Sequence, residues 1–533
     1  MISKSAKVLL GVLFNSFLFG FVLIFFHSLF NSADDAICLY ILGGGFGFPQ
    51  SEFLYYNHVL HPIITLPVKF LFNINPNINW YAGCLIIFHF FATSLIFIHI
   101  IRCRPFWESL FIYTCIFFIF ECAFLMSLSF TNTSIVLTWA GLTSLFFGVK
   151  DKRIFNWNGI LALSSIFFAV LFRIHVIIPF IVIVLPFFLF RVNTKIVIRL
   201  IILITCMLFL TIFVNLLHQW YYGKYISNWA AGDAYRYKLY KFYNVEGLTD
   251  LNIARWETEK QLVKNALIID TNYISQKKLT EMYEELKMKK FERTLQISSH
   301  QMYWSFINNR IYLLAFFLFF FFYSVRRYQK LIALISFSLL ATCTILLVVF
   351  LKLPYYIIIG GAGLLTLFVV LTSDREGMPA TRRWSFFKYS LFAFFLLWGM
   401  VRLYKTNIKN KQMNMFFKKS FEEVEKFRTT FFLVTDGAFP LDYFSIFDTP
   451  QTYSLENVSL SWQCSYELNL KALNAYHINN VKDIPLSKNV LFWGKPIQAL
   501  LDYFEITTGK KYCFSDPLKE FKYGEVRRLE ECK

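Results

Sequence analysis

Long, nearly uninterrupted apolar runs dominate the chain. A membrane-crossing helix needs about 20 mostly apolar residues, and such runs lie near 8–30, 80–101, 106–127, 134–149, 157–172, 176–190, 196–220, 311–325, 331–351, 355–373 and 385–404. The pattern therefore predicts an α-helical polytopic membrane protein with about 11 transmembrane helices. The runs near 134–149, 176–190 and 311–325 are short and call for tilt or borrowed flanks. The first run is too long for a signal-peptide core and reads as an uncleaved helix.

Basic residues test the count independently. With the N-terminus in the cytoplasm beside Lys4 and Lys7, alternation puts Arg102/Arg104, Lys150/Lys152/Arg153, Arg191/Lys195/Arg199, Arg326/Arg327/Lys330 and Arg375/Arg382/Arg383 all inside. The short outer connections 128–133, 173–175 and 352–354 hold two cations, Arg173 and Lys352. Eleven spans leave the C-terminus outside, and the segments 31–79, 221–310 and 405–533 then share the outer face. Residues 1–404 read as a transmembrane domain and 405–533 as a small α/β or α+β extracytoplasmic domain, with strands at Phe431–Val434 and Val490–Trp493.

Composition agrees. Of 533 residues, 56% are hydrophobic and 16% charged, with 65 Phe, where a soluble domain carries about 25% charged residues. This excludes a cytosolic enzyme, a disordered chain and a secreted disulfide scaffold. The net charge of +19 sits largely in the cytoplasmic clusters, so it is topological and implies no nucleic-acid partner. Most cysteines lie in or beside spans, where Cys behaves as a small hydrophobe. In the tail, a disulfide such as Cys464 with Cys513 is compatible with the sequence, though spacing does not fix the pairing. There is no CxxC pair or HExxH, so no structural zinc site is expected.

Candidate chemistry gathers on the outer side. Asp34 and Asp35 follow the first span directly. Adjacent carboxylates there act as a general base, as oxygen ligands for a divalent cation such as Mg or Mn, or as a helix cap. A glycine-rich stretch, 43–47, leads to Tyr55-Tyr56-Asn57-His58-Val59-Leu60-His61-Pro62. Tyr56, His58 and His61 offer phenol and imidazole groups to a phosphate or sugar. Arg173, with His175 beside it, and Lys352 are cations on the face that avoids cations, so they ask for an anionic partner or snorkel to the interface. A lipid phosphate meets that need.

Together, Asp34-Asp35 after one span, the N-H-x-x-H-P stretch at 57–62, Leu171-Phe172-Arg173 closing a span and a soluble outer tail resemble the GT-C glycosyltransferases. The resemblance implies a polyprenyl-phosphate sugar as donor and a glycan, lipid or protein as acceptor. It also implies a catalytic role for the acidic residue of the first outer loop, here Asp34 or Asp35, and a phosphate contact for Arg173; of the pair Asp35 is preferred, because it lies farther from the end of the first span and nearer the cavity that the loop must build. The subfamily, and so the sugar, stays open. The expected location is the plasma (inner) membrane of a bacterium. The competing readings are a polysaccharide polymerase or ligase, and a lipid or glycan transporter (flippase) that uses Glu108, Glu121, His89 and His99.

Overall fold

The computed structural model describes residues 4–45, 50–54, 59–149, 156–189, 194–244, 251, 254–265, 267–268, 270–324, 326–350, 355–373, 382–427, 430–434, 443–452, 458–459, 473–521 and 524–532. Its helices, in chain order, are α1 (Lys4–Phe25), α2 (Ala33–Gly43), α3 (Pro62–Ile74), α4 (Trp80–Cys103), α5 (Phe106–Ile116), α6 (Cys122–Leu125), α7 (Phe130–Gly148), α8 (Trp157–Phe172) and α9 (Ile177–Leu189). They continue with α10 (Thr194–Tyr225), α11 (Trp229–Asn244), α12 (Glu257–Lys264), α13 (Gln276–Asn308), α14 (Arg310–Tyr323), α15 (Arg327–Phe350), α16 (Tyr355–Thr372), α17 (Arg382–Val424) and α18 (Gln498–Thr508).

A helix covers each of the eleven apolar runs. Among the described residues, six are long and apolar enough to cross a membrane: Ser5–Phe25, Trp80–Cys103, Phe106–Leu125, Val197–Tyr225, Arg327–Val349 and Phe386–Phe427. The chain is a largely helical, membrane-embedded protein. The third of these spans is not a plain α-helix, because a π-helical turn, Phe117–Glu121, joins α5 to α6. Helix α17 runs unbroken from the last apolar run into the tail, ending at Val424.

The 134–149 run is short of apolar residues for a physical reason. Helix α7 is buried on nearly every side, so it meets other helices rather than lipid and can use Ser, Thr and Gly. Gly141 is one such contact: a Cβ there would come within 2.7 Å of Ile166 and 3.3 Å of the Ala162 carbonyl on α8. The Ser134 hydroxyl donates to the Ala169 carbonyl at 2.9 Å, and Trp139 Nε1 donates to the Gly360 carbonyl at 3.0 Å. These bonds fix α7 against α8 and α16.

One apolar helix lies inside the segment 31–79, where the runs placed no span. Helix α3 has 13 residues, about 20 Å at 1.5 Å per residue, too short for a core of about 30 Å. Ile64, Val68 and Phe72 are buried while Ile63, Leu66, Phe70 and Ile74 are exposed. A helix apolar on its outer face as well suits the membrane interface.

The segments 31–79, 221–310 and 405–533 pack together. Strand β1 (Leu29–Phe30) pairs in parallel with β2 (Ser127–Leu128). The Phe30 amide donates to the Phe444 carbonyl at 3.3 Å, and Asn79 Nδ2 donates to the Ile446 and Asp448 carbonyls at 2.9 and 2.8 Å. Tyr503 on α18 donates to Asp270 of the 221–310 segment at 2.9 Å. In the tail, β3 (Phe431–Val434) pairs in parallel with β4 (Val458–Ser459) and β5 (Val490–Gly494). The further strands are β6 (Tyr512–Phe514), β7 (Lys519–Phe521), β8 (Gly524–Arg527) and β9 (Leu529–Glu531). The order β4-β3-β5-β8-β7 makes a mixed sheet, and both predicted strands are present in it. The tail disulfide corrects the suggested pairing: it joins Cys513 to Cys532. Antiparallel β6 and β9 bring these two ends together, while Cys464 lies outside the described residues.

Candidate functional site

Helix α2 starts at Ala33, so Asp34 and Asp35 both occupy its first turn, where carboxylates favour the helix dipole. Neighbouring helical positions point about 100° apart, and the two side chains part accordingly. Asp35 is fully buried. Its Oδ1 accepts the Tyr81 hydroxyl at 2.8 Å and the Phe130 amide at 2.9 Å, and its Oδ2 accepts the Ser32 hydroxyl at 3.0 Å. Phe130 opens α7, so Asp35 satisfies a free amide at the N-terminus of the central helix. Ser129, the residue before it, caps the same helix through the Asn132 amide at 3.0 Å. Burial pushes the Asp35 carboxyl up to about 7, against the pull of these bonds.

Asp34 is only partly buried and lies in the electrostatic field of Arg173 and of Tyr356, at the start of α16. Arg173 is the C-cap of α8, in extended conformation, and is held from several sides. Its Nη1 donates to the Thr131 hydroxyl at 2.5 Å, its Nη2 to the Tyr240 hydroxyl at 3.4 Å, and its guanidinium lies 5.7 Å from the Phe130 ring centre. Burial works against the charge, but Tyr356, Tyr240 and Asp34 outweigh it and raise the guanidinium above its ordinary value. Arg173 thus stays cationic, oriented at the same helix N-terminus that Asp35 caps.

Residues 59–61 run antiparallel to 171–173: Val59 pairs with Arg173, and the His61 amide donates to the Leu171 carbonyl at 2.8 Å. His61 itself is buried and caps α3, its Nδ1 accepting the Ile63 amide at 3.1 Å. Its ring meets that of His218 at 5.6 Å. Burial lowers it to about 4, so it is neutral at physiological pH and reads as a packing and capping residue. His175 is exposed in the short 3-10 turn after Arg173. Tyr56, His58 and Lys352 lie outside the described residues.

The structure therefore places Asp34 within the electrostatic field of Arg173, and Asp35 and His61 in buried, hydrogen-bonded positions at the starts of α7 and α3. Tyr240, Tyr356 and Thr131 were missed by sequence reasoning. Thr131 falls in the connection 128–133, ahead of the run at 134–149, and the tyrosines come from distant segments; none of the three carried a signal. Among the described residues no three of His, Cys, Asp and Glu come together to hold a metal ion. No family model and no curated protein matches this chain.

Proposed function

We propose that the protein is a membrane glycosyltransferase that moves a sugar from a polyprenyl-phosphate donor to a glycan, lipid or protein acceptor on the outer face. The reading takes eleven crossings, a cytoplasmic N-terminus and a bacterial inner membrane. The observation that carries it is that a partly open carboxylate, Asp34, lies in the electrostatic field of a guanidinium, Arg173, that Thr131 and Tyr240 hold in place.

The chemistry divides between these two groups. Asp34 takes the proton of the acceptor hydroxyl as its oxygen bonds to the anomeric carbon. The bond from that carbon to the phosphate oxygen breaks, and the lipid phosphate leaves with the electron pair. Arg173 meets the charge that grows on it. Asp35 does not touch substrate; it is a positioning residue that locks α2 onto α7, so Asp34 keeps its direction. This assigns the catalytic part to Asp34, whereas the sequence favoured Asp35.

The test is transfer from a radiolabelled polyprenyl-phosphate sugar in membranes holding matched amounts of protein. Loss of the protein should cause one lipid-linked sugar to accumulate in the cell, and that sugar is the donor to use. Asp34→Asn should lower transfer roughly 10²- to 10⁴-fold, the usual contribution of a general base. Normal transfer by Asp34→Asn would remove the reading.

One observation favours a second reading. His89 on α4 and Glu121 in the π-helical turn lie 2.6 Å apart, both buried within spans. Intramembrane ionisable pairs and π-turns often mark ion paths, which suits a proton-coupled lipid or glycan transporter. Proton-gradient-dependent uptake of lipid-linked sugar into vesicles, lost in Glu121→Gln, would favour it over the enzyme.

A further inference from the structure

Beside the β1–β2 ladder lies a cavity of about 430 Å³, within the range of about 300–1,000 Å³ typical of ligand pockets. All three outer segments build it. Asn31 comes from the first, Asn309 from the end of the second, and Arg402, Thr406 and Tyr443 from α17 and the tail. Phe118 of the π-helical turn and Ile359 of α16 supply an apolar wall. The cavity is therefore polar where the outer segments meet and apolar where it adjoins the helix bundle.

Its chemistry is selective. Among the described lining residues there is no Asp or Glu, which disfavours a cation, and one guanidinium, which favours an anion. The amides and hydroxyls both donate and accept, as a polyhydroxylated ligand requires. Arg402 is held in place: it lies 4.8 Å from the Tyr312 ring centre and donates to the Asn308 carbonyl at 3.4 Å. Asn31, anchored by the Ser127 hydroxyl at 3.1 Å, stands one turn before Asp34. The cavity thus reaches the backbone that carries the proposed base, and Arg173 is not among its lining residues.

We propose that this cavity binds the acceptor, and that the acceptor is an anionic saccharide head on a lipid: hydroxyl-rich, carrying a carboxylate or phosphate that Arg402 grips. The word acceptor rests on the glycosyl-transfer reading; the binding chemistry does not. The amide and hydroxyl groups hold the sugar, the apolar wall takes the start of the lipid chain, and Arg402 excludes uncharged competitors.

Equilibrium binding to the full chain in nanodiscs tests this with three probes: octyl glucuronide, octyl glucose 6-phosphate and neutral octyl glucoside. At least one anionic probe should bind roughly tenfold to a hundredfold more tightly than the neutral one, the worth of one charge-assisted contact. Which of them binds distinguishes a carboxylate from a phosphate. Arg402→Gln should abolish the preference, Arg402→Lys should keep part of it, and Arg173→Gln should leave it intact. In unaltered protein, a diazirine-bearing form of the tighter anionic probe should label α17, which reads the site without any variant. Equal binding of all three probes, an unchanged preference in Arg402→Gln, its loss in Arg173→Gln, or labelling that misses α17 would each overturn the proposal. Those outcomes leave the Asp34→Asn transfer test untouched. Conversely, an intact anion preference in a protein with no transfer activity would remove the enzyme reading and keep the site.

Discussion

Asp35 caps a helix it does not belong to: from α2, its Oδ1 accepts the Phe130 amide, the first of α7, at 2.9 Å. The same oxygen accepts the Tyr81 hydroxyl of α4 at 2.8 Å, so one buried carboxyl ties three helices together. Asp35→Ala would strand both donors, each costing about 1–3 kcal/mol when left unsatisfied. Asp35→Asn keeps the accepting oxygen, and its amide can donate to Ser32. Thermal unfolding in detergent should show a large loss for Asp35→Ala and a change within about 1 kcal/mol for Asp35→Asn. Similar melting of the Asp35→Ala variant and the parent would deny the capping role.

The same carboxyl predicts a pH dependence. Its folded value of about 7 lies above the ordinary 3.8, so between these values the folded state holds a proton that the unfolded state has released. Stability from this group is therefore fully present below about 4 and is lost as pH rises through about 7. His61 works the other way: with a folded value of about 4 against an ordinary 6.5, its contribution is present above 6.5 and is lost as pH falls through 4. Comparing the parent with Asp35→Asn cancels the His61 part. The difference in melting temperature should drift in favour of Asp35→Asn as pH rises from 5 to 8. A flat difference over that range would contradict the buried acid.

Arg173→Ala should weaken use of a polyprenyl-phosphate donor while the protein stays folded in the membrane. One charge-assisted contact to phosphate is worth roughly 1.5–3 kcal/mol. Arg173→Lys should restore part of it, because a point charge replaces a fork that also grips Thr131. Donor kinetics unchanged in both variants would return Arg173 to interface snorkelling.

The packing of α12 on α18, with Tyr503 bonded to Asp270, requires the 221–310 and 405–533 segments to share one side. Both Lys278→Cys and Lys510→Cys should react with an impermeant thiol reagent applied from outside, above the labelling of the parent. If one site reacts from outside and the other from the cytoplasm alone, the chain does not cross the membrane eleven times and the two segments do not share a face. If both react from the cytoplasm, the packing holds and the orientation reverses.

Much of the architecture follows from what a bilayer and a peptide backbone enforce locally, and is legible in the chain. Runs of about 20 apolar residues have to be helices, because lipid offers unpaired amides no partner, and a helix indeed covers each run. The strands at Phe431–Val434 and Val490–Trp493 were legible for a similar reason, as short apolar β-formers in a soluble tail. The acidic pair after the first span and the isolated Arg173 were legible as costly charges in unusual places. Tertiary structure alone decided how they are used. Which of Asp34 and Asp35 is buried depends on the rotation of α2 against α4 and α7, and Tyr81 and Phe130 lie 46 and 95 residues away. The company of Arg173 comes likewise from α7, α11 and α16, and the Cys513–Cys532 link from the pairing of β6 with β9. Such contacts follow from how whole helices and strands pack, and side-chain direction across a long loop leaves no periodic mark in the chain.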